Sequence, residues 1–261
     1  MGVGAAIRRP LRVLGFATST VGLYAAHEVH ERSRPGVNRD RLLESYTRRW
    51  ARVQLRLFGI HPEVVGDARA GANQGRLVVM NHRSAIDIGL SAALFPGSLV
   101  SRGDISGWPL LGAVARKART IFVDRGDAQS GARVIREIRR ELTAGRTVVI
   151  FPEGTTFLGD EVRPFHKGAF AAVARTGHLV LPVGVAYDGD DAHFFEETFG
   201  HHLMRMAARP RTRVAVHVGH PVVADRTLGT DALVKKLHEA VQAQVIDARL
   251  ALRSSIPPPG R

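Results

Sequence analysis

The chain has 261 residues, which is enough for one sizeable α/β domain and short for two independent ones. It carries 37 Lys and Arg against 24 Asp and Glu, a net charge of +13, and no cysteine, which excludes disulfides, thiolate catalysis and cysteine zinc sites. A basic surface attracts nucleic acid, anionic lipid or phosphorylated substrates, and charge alone does not choose among them.

The first apolar segment, residues 11–26, is interrupted by Arg12 and two glycines. A transmembrane helix usually needs about 20 predominantly apolar residues, so this segment is a poor candidate to span a bilayer. We predict an interfacial or re-entrant helix, with Arg8, Arg9 and Arg12 available for anionic headgroups. The stretch IRRPLR also suggests a twin-arginine export signal, but no convincing small-residue cleavage site follows it.

The next segment, residues 39–58, shows the periodicity of an amphipathic helix with an arginine-rich back. Residues 1–60 together hold eleven arginines and only four acidic residues. The segment predicts either a surface helix packed on the domain or a helix lying on a membrane, and both are kept open. Its apolar positions are Leu42, Leu43, Tyr46, Trp50, Val53, Leu57 and Phe58.

Beyond residue 60, short β-rich runs alternate with helical stretches, which predicts an α/β fold: a mixed, largely parallel sheet flanked by helices. We divide the chain into membrane-associating helices (1–59), one catalytic domain (60–253) and a flexible tail (254–261). The predicted strands are 61–65, 77–80, 98–100, 120–123, 147–151, 180–186 and 213–218. The predicted helices are 86–95, 109–118, 129–144, 168–176, 192–208 and 230–253.

An imidazole and a carboxylate, His82 and Asp87, follow the predicted strand 77–80. Open α/β sheets place ligand sites at strand ends. A carboxylate in the first turn of the next helix can reach back to fix the tautomer of the imidazole and support its charge, an arrangement that suits activation of a hydroxyl. The alternative is that Asn81 makes a turn, Asp87 caps a helix and His82 is an ordinary loop histidine.

A second polar cluster follows the predicted strand 147–151, where Pro152, Glu153 and Gly154 precede two threonines. Backbone amides and hydroxyls concentrated at a strand end can bind an anion. The alternative is a simple Pro-Glu-Gly turn in an exposed loop.

Two further segments carry weaker signals. Arg125 ends the strand 120–123, and a guanidinium at a strand end suits bidentate phosphate binding, although a lone arginine is more often simply solvated. Residues 179–187 are apolar with one proline and by themselves indicate only a core strand.

Taken together, these four segments resemble the glycerolipid acyltransferase family typified by bacterial 1-acylglycerol-3-phosphate acyltransferases. Asn81, His82 and Asp87 match the family's NHxxxxD block, and 151–155 match FPEGT. The second block is matched by Arg102 through Pro109, Gly112 and 121–125, and the fourth by 181–183. The resemblance covers about residues 60–220 and favours the catalytic interpretation of His82.

The resemblance implies a role for each matching residue. His82 would be the general base toward the acceptor hydroxyl, and Asp87 would orient it. Four residues would contribute to the acceptor's glycerol-phosphate site: Arg125, Glu153, Gly154 and Thr155. Arg102, in the second block, and Pro182, in the acyl-proximal block, would also contact substrate.

The implied reaction is transfer of a fatty acyl group from acyl carrier protein or CoA to a lysophospholipid, most simply 1-acylglycerol-3-phosphate, giving phosphatidic acid. No metal or other cofactor is needed, because the thioester is already activated. The expected partners are the lysophospholipid, the acyl donor and an anionic membrane surface, without nucleic acid. The expected location is the cytoplasmic face of the cell membrane, as a peripheral or monotopic protein.

One departure from the family pattern concerns the acceptor. Family members often have arginine after FPEGT, where this chain has Thr156. Arg125, Arg163 or Lys167 could compensate, but the change keeps another acceptor, such as lyso-ornithine lipid, as an alternative.

Three alternative interpretations point to another class of protein or another kind of site. The charge alone would fit a basic nucleic-acid- or membrane-binding protein without catalysis, although no nucleic-acid module is evident. A membrane-bound scaffold that keeps the fold without activity is a further alternative. The stretch HEVH at 27–30 falls one residue short of the spacing of a zinc motif and has no evident third ligand, so no metal site is predicted.

Overall fold

The computed structural model describes residues 3–107, 111–124 and 128–254, and it contains an eight-stranded sheet. The strands are ordered β1-β7-β6-β2-β5-β3-β4, and the short β8 pairs with β6. Five neighbours, β6, β2, β5, β3 and β4, run parallel, whereas β7 is antiparallel to β6 and carries β1 parallel to itself. The prediction of a mixed, largely parallel sheet is therefore confirmed.

The seven predicted strands all form, within one or two residues of the expected bounds, and β8 was not predicted. Their bounds are β1 Ile60–Val65, β2 Arg76–Met80, β3 Ser98–Arg102, β4 Ile121–Val123, β5 Thr147–Ile150, β6 Leu179–Tyr187, β7 Thr212–Val218 and β8 Val222–Val223.

Helices cover both faces of the sheet, as a parallel sheet requires. The α-helices are α1 Val3–Ser33, α2 Arg39–Leu57, α3 Ile86–Leu94, α4 Leu111–Lys117, α5 Ala128–Thr143, α6 Phe199–Ala208 and α7 Thr230–Ser254. One apolar core lies between the sheet and α2, α3 and α6, with α1 packed outside it. A second core lies on the opposite face, under α5 and α7. The central strands β2 and β5 are buried along their whole length, which explains their unbroken apolar runs.

Two predicted helices are shorter than expected. The segment 192–208 is helical only as α6, because Thr198 adopts an extended backbone and its hydroxyl accepts a hydrogen bond from the His201 amide, the geometry of a helix N-cap. The segment 168–176 forms only the 3₁₀ turn Gly168–Ala172.

The N-terminal helices pack against the domain and not away from it. In α2, Asn38 caps the first turn, Leu42, Ala51 and Leu55 are buried, and five of the six arginines are exposed. This is the packed alternative for residues 39–58. In α1, Arg8 and Arg12 donate to backbone carbonyls at the C-terminal end of α6, where cations are favoured.

α1 is longer than predicted, at 31 residues, and no helix in the described ranges is long and apolar enough to cross a membrane. Side-chain hydrogen bonds join α1 to α2. Among them, Trp50 Nε1 donates to Thr20 Oγ1 at 3.0 Å, and Gln54 Nε2 donates to Ser19 Oγ at 2.9 Å. Between Ile7 and Val29, α1 has an exposed face without charged side chains, which includes Leu11, Leu14 and Val21.

Candidate active site

The candidate site lies where parallel strands end together. β2 and β5 are parallel neighbours, so the segments that follow them emerge at the same edge of the sheet. His82 follows β2, and the Pro152–Gly154 turn follows β5. The two best motif segments of the sequence are therefore brought into contact by the sheet register.

His82 and Asp87 form a hydrogen-bonded pair. Asp87 lies in the first turn of α3 and is fully buried, and the His82 Nδ1–H donates to its Oδ2 at 2.8 Å. The imidazole lies flat against the Phe151 ring, with centroids 4.2 Å apart and an interplanar angle of 16°. Within the described residues Nε2 has no hydrogen-bond partner. The pair thus leaves one ring nitrogen held and the other available.

The environment of Asp87 keeps it ionised. Its Oδ2 also accepts from the amides of Arg83, at 2.7 Å, and Ser84, at 2.8 Å, while Oδ1 accepts from the Tyr187 hydroxyl at 2.5 Å. Burial alone would raise the pKa of Asp87, but the hydrogen bonds from His82, Tyr187 and the Ser84 amide outweigh it and hold that pKa below its usual value. A charged carboxylate behind the imidazole supports the imidazolium that forms when Nε2 takes a proton.

Asn81 does not make a simple turn, the role given to it in the non-catalytic alternative. Its side chain pairs with the backbone of Val185: Nδ2 donates to the carbonyl at 2.9 Å, and Oδ1 accepts from the amide at 2.7 Å. Because β2 pairs with β6 only as far as Met80, this side chain continues the ladder where the strand ends.

Glu153 accepts hydrogen bonds from the loop that carries His82 and from the segment that follows its own turn. Its carboxylate accepts from the His82 amide at 2.8 Å, from the Arg163 amide at 2.8 Å and from the buried Arg83 guanidinium at 2.9 and 3.0 Å. It is buried and does not line the cavity described below. The contact of Glu153 with the acceptor stays a prediction, and in the structure this carboxylate fixes the backbone behind His82.

Pro182 is a buried residue of the sheet, and its predicted contact with substrate stays a prediction. It lies inside β6, between the pairing with β8, which stops at Val180, and the pairing with β7, which starts at Val183. A proline has no amide hydrogen, so it fits at a gap between two ladders. Its carbonyl accepts from the Gly219 amide at 2.9 Å, and the residue does not line the cavity.

The other predicted contact residues border the site or lie outside the described ranges. Gly154, Thr155 and Arg102 line the cavity, as does Thr156. Gly154 has a φ of +77°, which favours glycine in the turn after β5. Arg125 lies outside the described residues, as does Pro109 of the second block.

The two cations considered as substitutes for the missing arginine are both paired with acids. Arg163 Nη1 lies 3.0 Å from Glu161, and Lys167 Nζ lies 2.6 Å from Asp231. Neither side chain lines the cavity.

A cavity of about 910 Å³ opens beside His82. That volume is near the upper end of the range of roughly 300–1,000 Å³ usual for small-molecule sites. Its wall is mainly apolar and is built from both N-terminal helices, α3, α4 and α6, with Phe16, Leu23, Trp50 and Phe95 among the contributors. The charged side chains in its described lining are Arg102, Lys117 and Glu197.

His27, the first histidine of the HEVH stretch, belongs to a polar cluster that borders the same cavity. His27 Nδ1 lies 3.8 Å from both Glu28 and Glu31, and Lys117 Nζ bridges the two carboxylates at 2.6 and 2.9 Å. The ammonium group therefore stands between the carboxylates and links α1 to α4.

Comparison with known proteins agrees with this architecture. Residues 61–186 match the family model described as acyltransferase. The lyso-ornithine lipid O-acyltransferase of Pseudomonas aeruginosa is 32% identical over 241 residues, covering 90% of this chain and 91% of that protein. The 1-acyl-sn-glycerol-3-phosphate acyltransferase of Neisseria meningitidis serogroup B is 28% identical over 191 residues, covering 66% and 70%.

A crystal structure of the 1-acyl-sn-glycerophosphate acyltransferase of Thermotoga maritima superposes with a TM-score of 0.72, covering 94% of this chain and 98% of that one at 21% identity, a likeness of fold. The mixed, largely parallel sheet flanked by helices is thus a fold that this chain shares with a known acyltransferase. The chain belongs to the glycerolipid acyltransferase family, as its four motifs predicted.

The sequence prediction of His82 and Asp87 does not include Tyr187 and Arg83, which hold the pair and its loop, and it gives Asn81 only a motif position or a turn. Each of their contacts joins residues that are distant in sequence. Tyr187 contacts Asp87, Arg83 contacts Glu153, and Asn81 contacts Val185. The only available signal for Arg83 was its place inside the motif, and Tyr187 looked like the last residue of a core strand.

Proposed function

We propose that the protein transfers a fatty acyl group from a thioester, on acyl carrier protein or CoA, to the free hydroxyl of a lyso-lipid, with lyso-ornithine lipid as the preferred acceptor. One observation carries the proposal: His82 is held by Asp87 at 2.8 Å on one nitrogen and borders a large apolar cavity. The cavity offers room for an acyl chain beside a base.

In the proposed reaction, His82 Nε2 takes the proton of the acceptor hydroxyl as that oxygen attacks the thioester carbonyl carbon. Asp87 stabilises the resulting imidazolium. The tetrahedral intermediate collapses with cleavage of the carbon–sulfur bond, and the imidazolium returns its proton to the departing thiolate. The products are the ester and a free thiol.

Donors for the oxyanion are available in the turn after β5. The amides of Thr155 and Thr156 donate to no residue in the described ranges, and both residues line the cavity. Backbone amides fixed in a turn stabilise developing negative charge without having to reorganise.

Two features favour lyso-ornithine lipid over lysophosphatidic acid. The P. aeruginosa relative that acts on lyso-ornithine lipid aligns along nearly the whole of both chains, further than the N. meningitidis relative. The position after FPEGT is Thr156, and Arg163 and Lys167 are tied to acids. A zwitterionic headgroup needs fewer cations than a phosphate monoester.

We expect the protein to act at a membrane surface, because both substrates of such a reaction carry fatty chains. The exposed uncharged face of α1 would lie in the interface on the cytoplasmic side, with the exposed arginines of α2 near anionic headgroups.

The test is an acyl-transfer assay with purified full-length protein in lipid–detergent micelles. It offers lyso-ornithine lipid and lysophosphatidic acid, each with acyl carrier protein and CoA thioesters. We expect transfer with His82 intact and a loss of roughly 10²–10⁴-fold in His82→Ala. His61→Ala, at an exposed histidine of β1, is the matched control and should keep full activity. Equal activity of His82→Ala and wild type would refute the base assignment.

The acceptor is tested by Thr156→Arg. We expect this variant to gain activity toward lysophosphatidic acid relative to lyso-ornithine lipid by roughly tenfold, the effect of one added charge-assisted hydrogen bond to phosphate. A wild-type preference for lysophosphatidic acid would overturn the choice of acceptor and leave the acyl-transfer proposal standing.

A further inference from the structure

The two carboxylate oxygens of Asp87 accept hydrogen bonds from different kinds of donor. Its Oδ2 accepts from His82 and from two amides of its own loop, whereas Oδ1 depends on one side chain from another element. That side chain is Tyr187, the last residue of β6, fully buried and 100 positions away in sequence. Among the described residues it is the only hydrogen-bond donor to Oδ1.

We propose that Tyr187 is a positioning residue for acyl transfer, whose hydroxyl holds Asp87 ionised and correctly oriented behind His82. This inference rests on the proposed function. In this proposal, three side chains act together through two hydrogen bonds: Tyr187 to Asp87, and His82 to Asp87. They run from the sheet interior to the cavity.

The register of the sheet explains why this contact forms. β2 and β6 run parallel with Met80 opposite Val183, so the loop after β2 passes beside the last residues of β6. Asn81 fixes that loop to Val185 by two hydrogen bonds, and Tyr187 follows two residues later on the same side of the strand. The phenol is therefore delivered to Asp87 by rigid strand geometry.

The chemistry of Tyr187 suits a permanent donor. Burial and the charge of Asp87 raise the pKa of Tyr187 well above its usual value, so the phenol keeps its proton at every working pH. Its ring is fixed edge-to-face against His193, with centroids 5.9 Å apart. A buried carboxylate oxygen without its donor would suffer the full cost of desolvation.

A second anchor steadies the same loop. Ser84 Oγ lies 3.2 Å from His202 Nε2, and His202 Nδ1 donates to Glu197 at 2.9 Å. The Glu197 carboxylate accepts hydrogen bonds from Arg205, His202 and His201. These bonds outweigh the effect of burial and lower the pKa of Glu197 to about 2. The ionisable side chains around Asp87 are His82, Arg83, Tyr187, His193 and His202.

The test is Tyr187→Phe, which removes one oxygen and keeps the ring. Activity requires His82 Nε2 without a proton, and the loss of the hydrogen bond makes the Asp87 carboxylate more basic, so that it stabilises the imidazolium form of His82 more strongly. We therefore expect the acid limb of the kcat pH profile to move to higher pH by about one unit, and kcat to fall by about tenfold or more with KM little changed.

The matched control is Ser98→Ala. Ser98 Oγ donates to the buried Glu141 at 3.0 Å, outside the site, so this variant also removes a buried hydroxyl from a carboxylate. It should lower thermal stability without moving the pH profile. An unmoved acid limb in a folded Tyr187→Phe would refute the proposal, as would the same displacement in Ser98→Ala.

A second measurement covers the case in which Tyr187→Phe fails to fold. Site-specific 3-fluorotyrosine at 187 keeps the hydroxyl and makes it a stronger donor, so the acid limb should move to lower pH. No movement would refute the role of Tyr187. An inactive wild-type protein with every donor and acceptor would instead refute the proposed function itself.

Discussion

At the scale of single residues, Asn81 shows how a motif residue can serve the fold. Replacing it by alanine would leave the buried amide and carbonyl of Val185 without partners. Each such group costs about 1–3 kcal/mol, so we expect Asn81→Ala to lower the free energy of unfolding by roughly 2–5 kcal/mol in urea titrations. The exposed Asn73→Ala should stay within about 0.5 kcal/mol. A change below about 1 kcal/mol at Asn81 would contradict this account.

A second residue-scale prediction concerns His193, which is buried with no hydrogen-bond partner on either ring nitrogen within the described residues. Burial lowers the pKa of His193 below the 6.5 expected in the unfolded chain. As the pH falls below 6.5 the unfolded state binds more protons, so stability that is complete above that value is lost on acidification. Burial lowers the pKa of His27 and of His202 in the same direction.

The measurement is the melting temperature between pH 8 and pH 5. We expect it to fall on the acid side in the wild type, and to fall less steeply in His193→Gln, whose side chain does not titrate. His61→Gln, at an exposed histidine, is the control and should keep the wild-type slope. Identical slopes for all three proteins would show that His193 makes no such contribution.

At the scale of elements, the loop after β5 is held by a buried ion pair. Arg83 joins Glu153 at 2.9 Å and donates to the carbonyls of Gly159 at 2.6 Å and Glu161 at 2.7 Å. Removing one partner of such a pair costs roughly 3–5 kcal/mol, because the other charge is left buried and uncompensated. We expect Glu153→Gln to unfold earlier in urea and to be cut faster by protease within this loop.

The control is Glu161→Gln, which removes a largely exposed partner of Arg163 and should cost no more than about 1 kcal/mol. The double variant Arg83→Met with Glu153→Met should recover much of the stability lost in Glu153→Gln, since it leaves no buried charge. If Glu153→Gln were inactive but as stable as the wild type, Glu153 would have to act on substrate directly.

The same scale shows what the sequence could and could not predict. The strands are predicted from unbroken apolar runs, a local signal. The strand end and the spacing of five only suggest a pair of His82 with Asp87, and the resemblance of four motifs to the acyltransferase family is what favours it. Tyr187 needs the pairing of Met80 with Val183, which no local pattern specifies. Apolar spacing alone predicts a helix from residue 192, whereas the N-cap residue Thr198 sets the start of α6.

At the scale of the whole molecule, the two helical layers have different surfaces. α1 lies on the same side of the sheet as the cavity-lining α2, α3 and α6, and its outward face from Ile7 to Val29 carries no exposed charge over roughly 33 Å of helix. α7 lies on the other side and exposes only a smaller apolar pair, Ile246 and Leu250. This asymmetry is what a protein binding a membrane by one face requires.

The last prediction tests that face directly, by sedimentation with vesicles of phosphatidylethanolamine and phosphatidylglycerol. Leu11 and Val21 are 61% and 55% exposed, so replacing both by glutamate should leave the fold intact. It removes two apolar side chains worth about 1.5–3 kcal/mol each on burial, and it adds charges repelled by anionic lipid. We therefore expect the partition coefficient to fall by at least about tenfold.

Ile246→Glu with Leu250→Glu, at 52% and 51% exposure, makes the same change in charge on the opposite layer and should bind like the wild type. Equal binding by all three proteins, or equal loss in both variants, would contradict the assignment of α1 as the membrane-facing element.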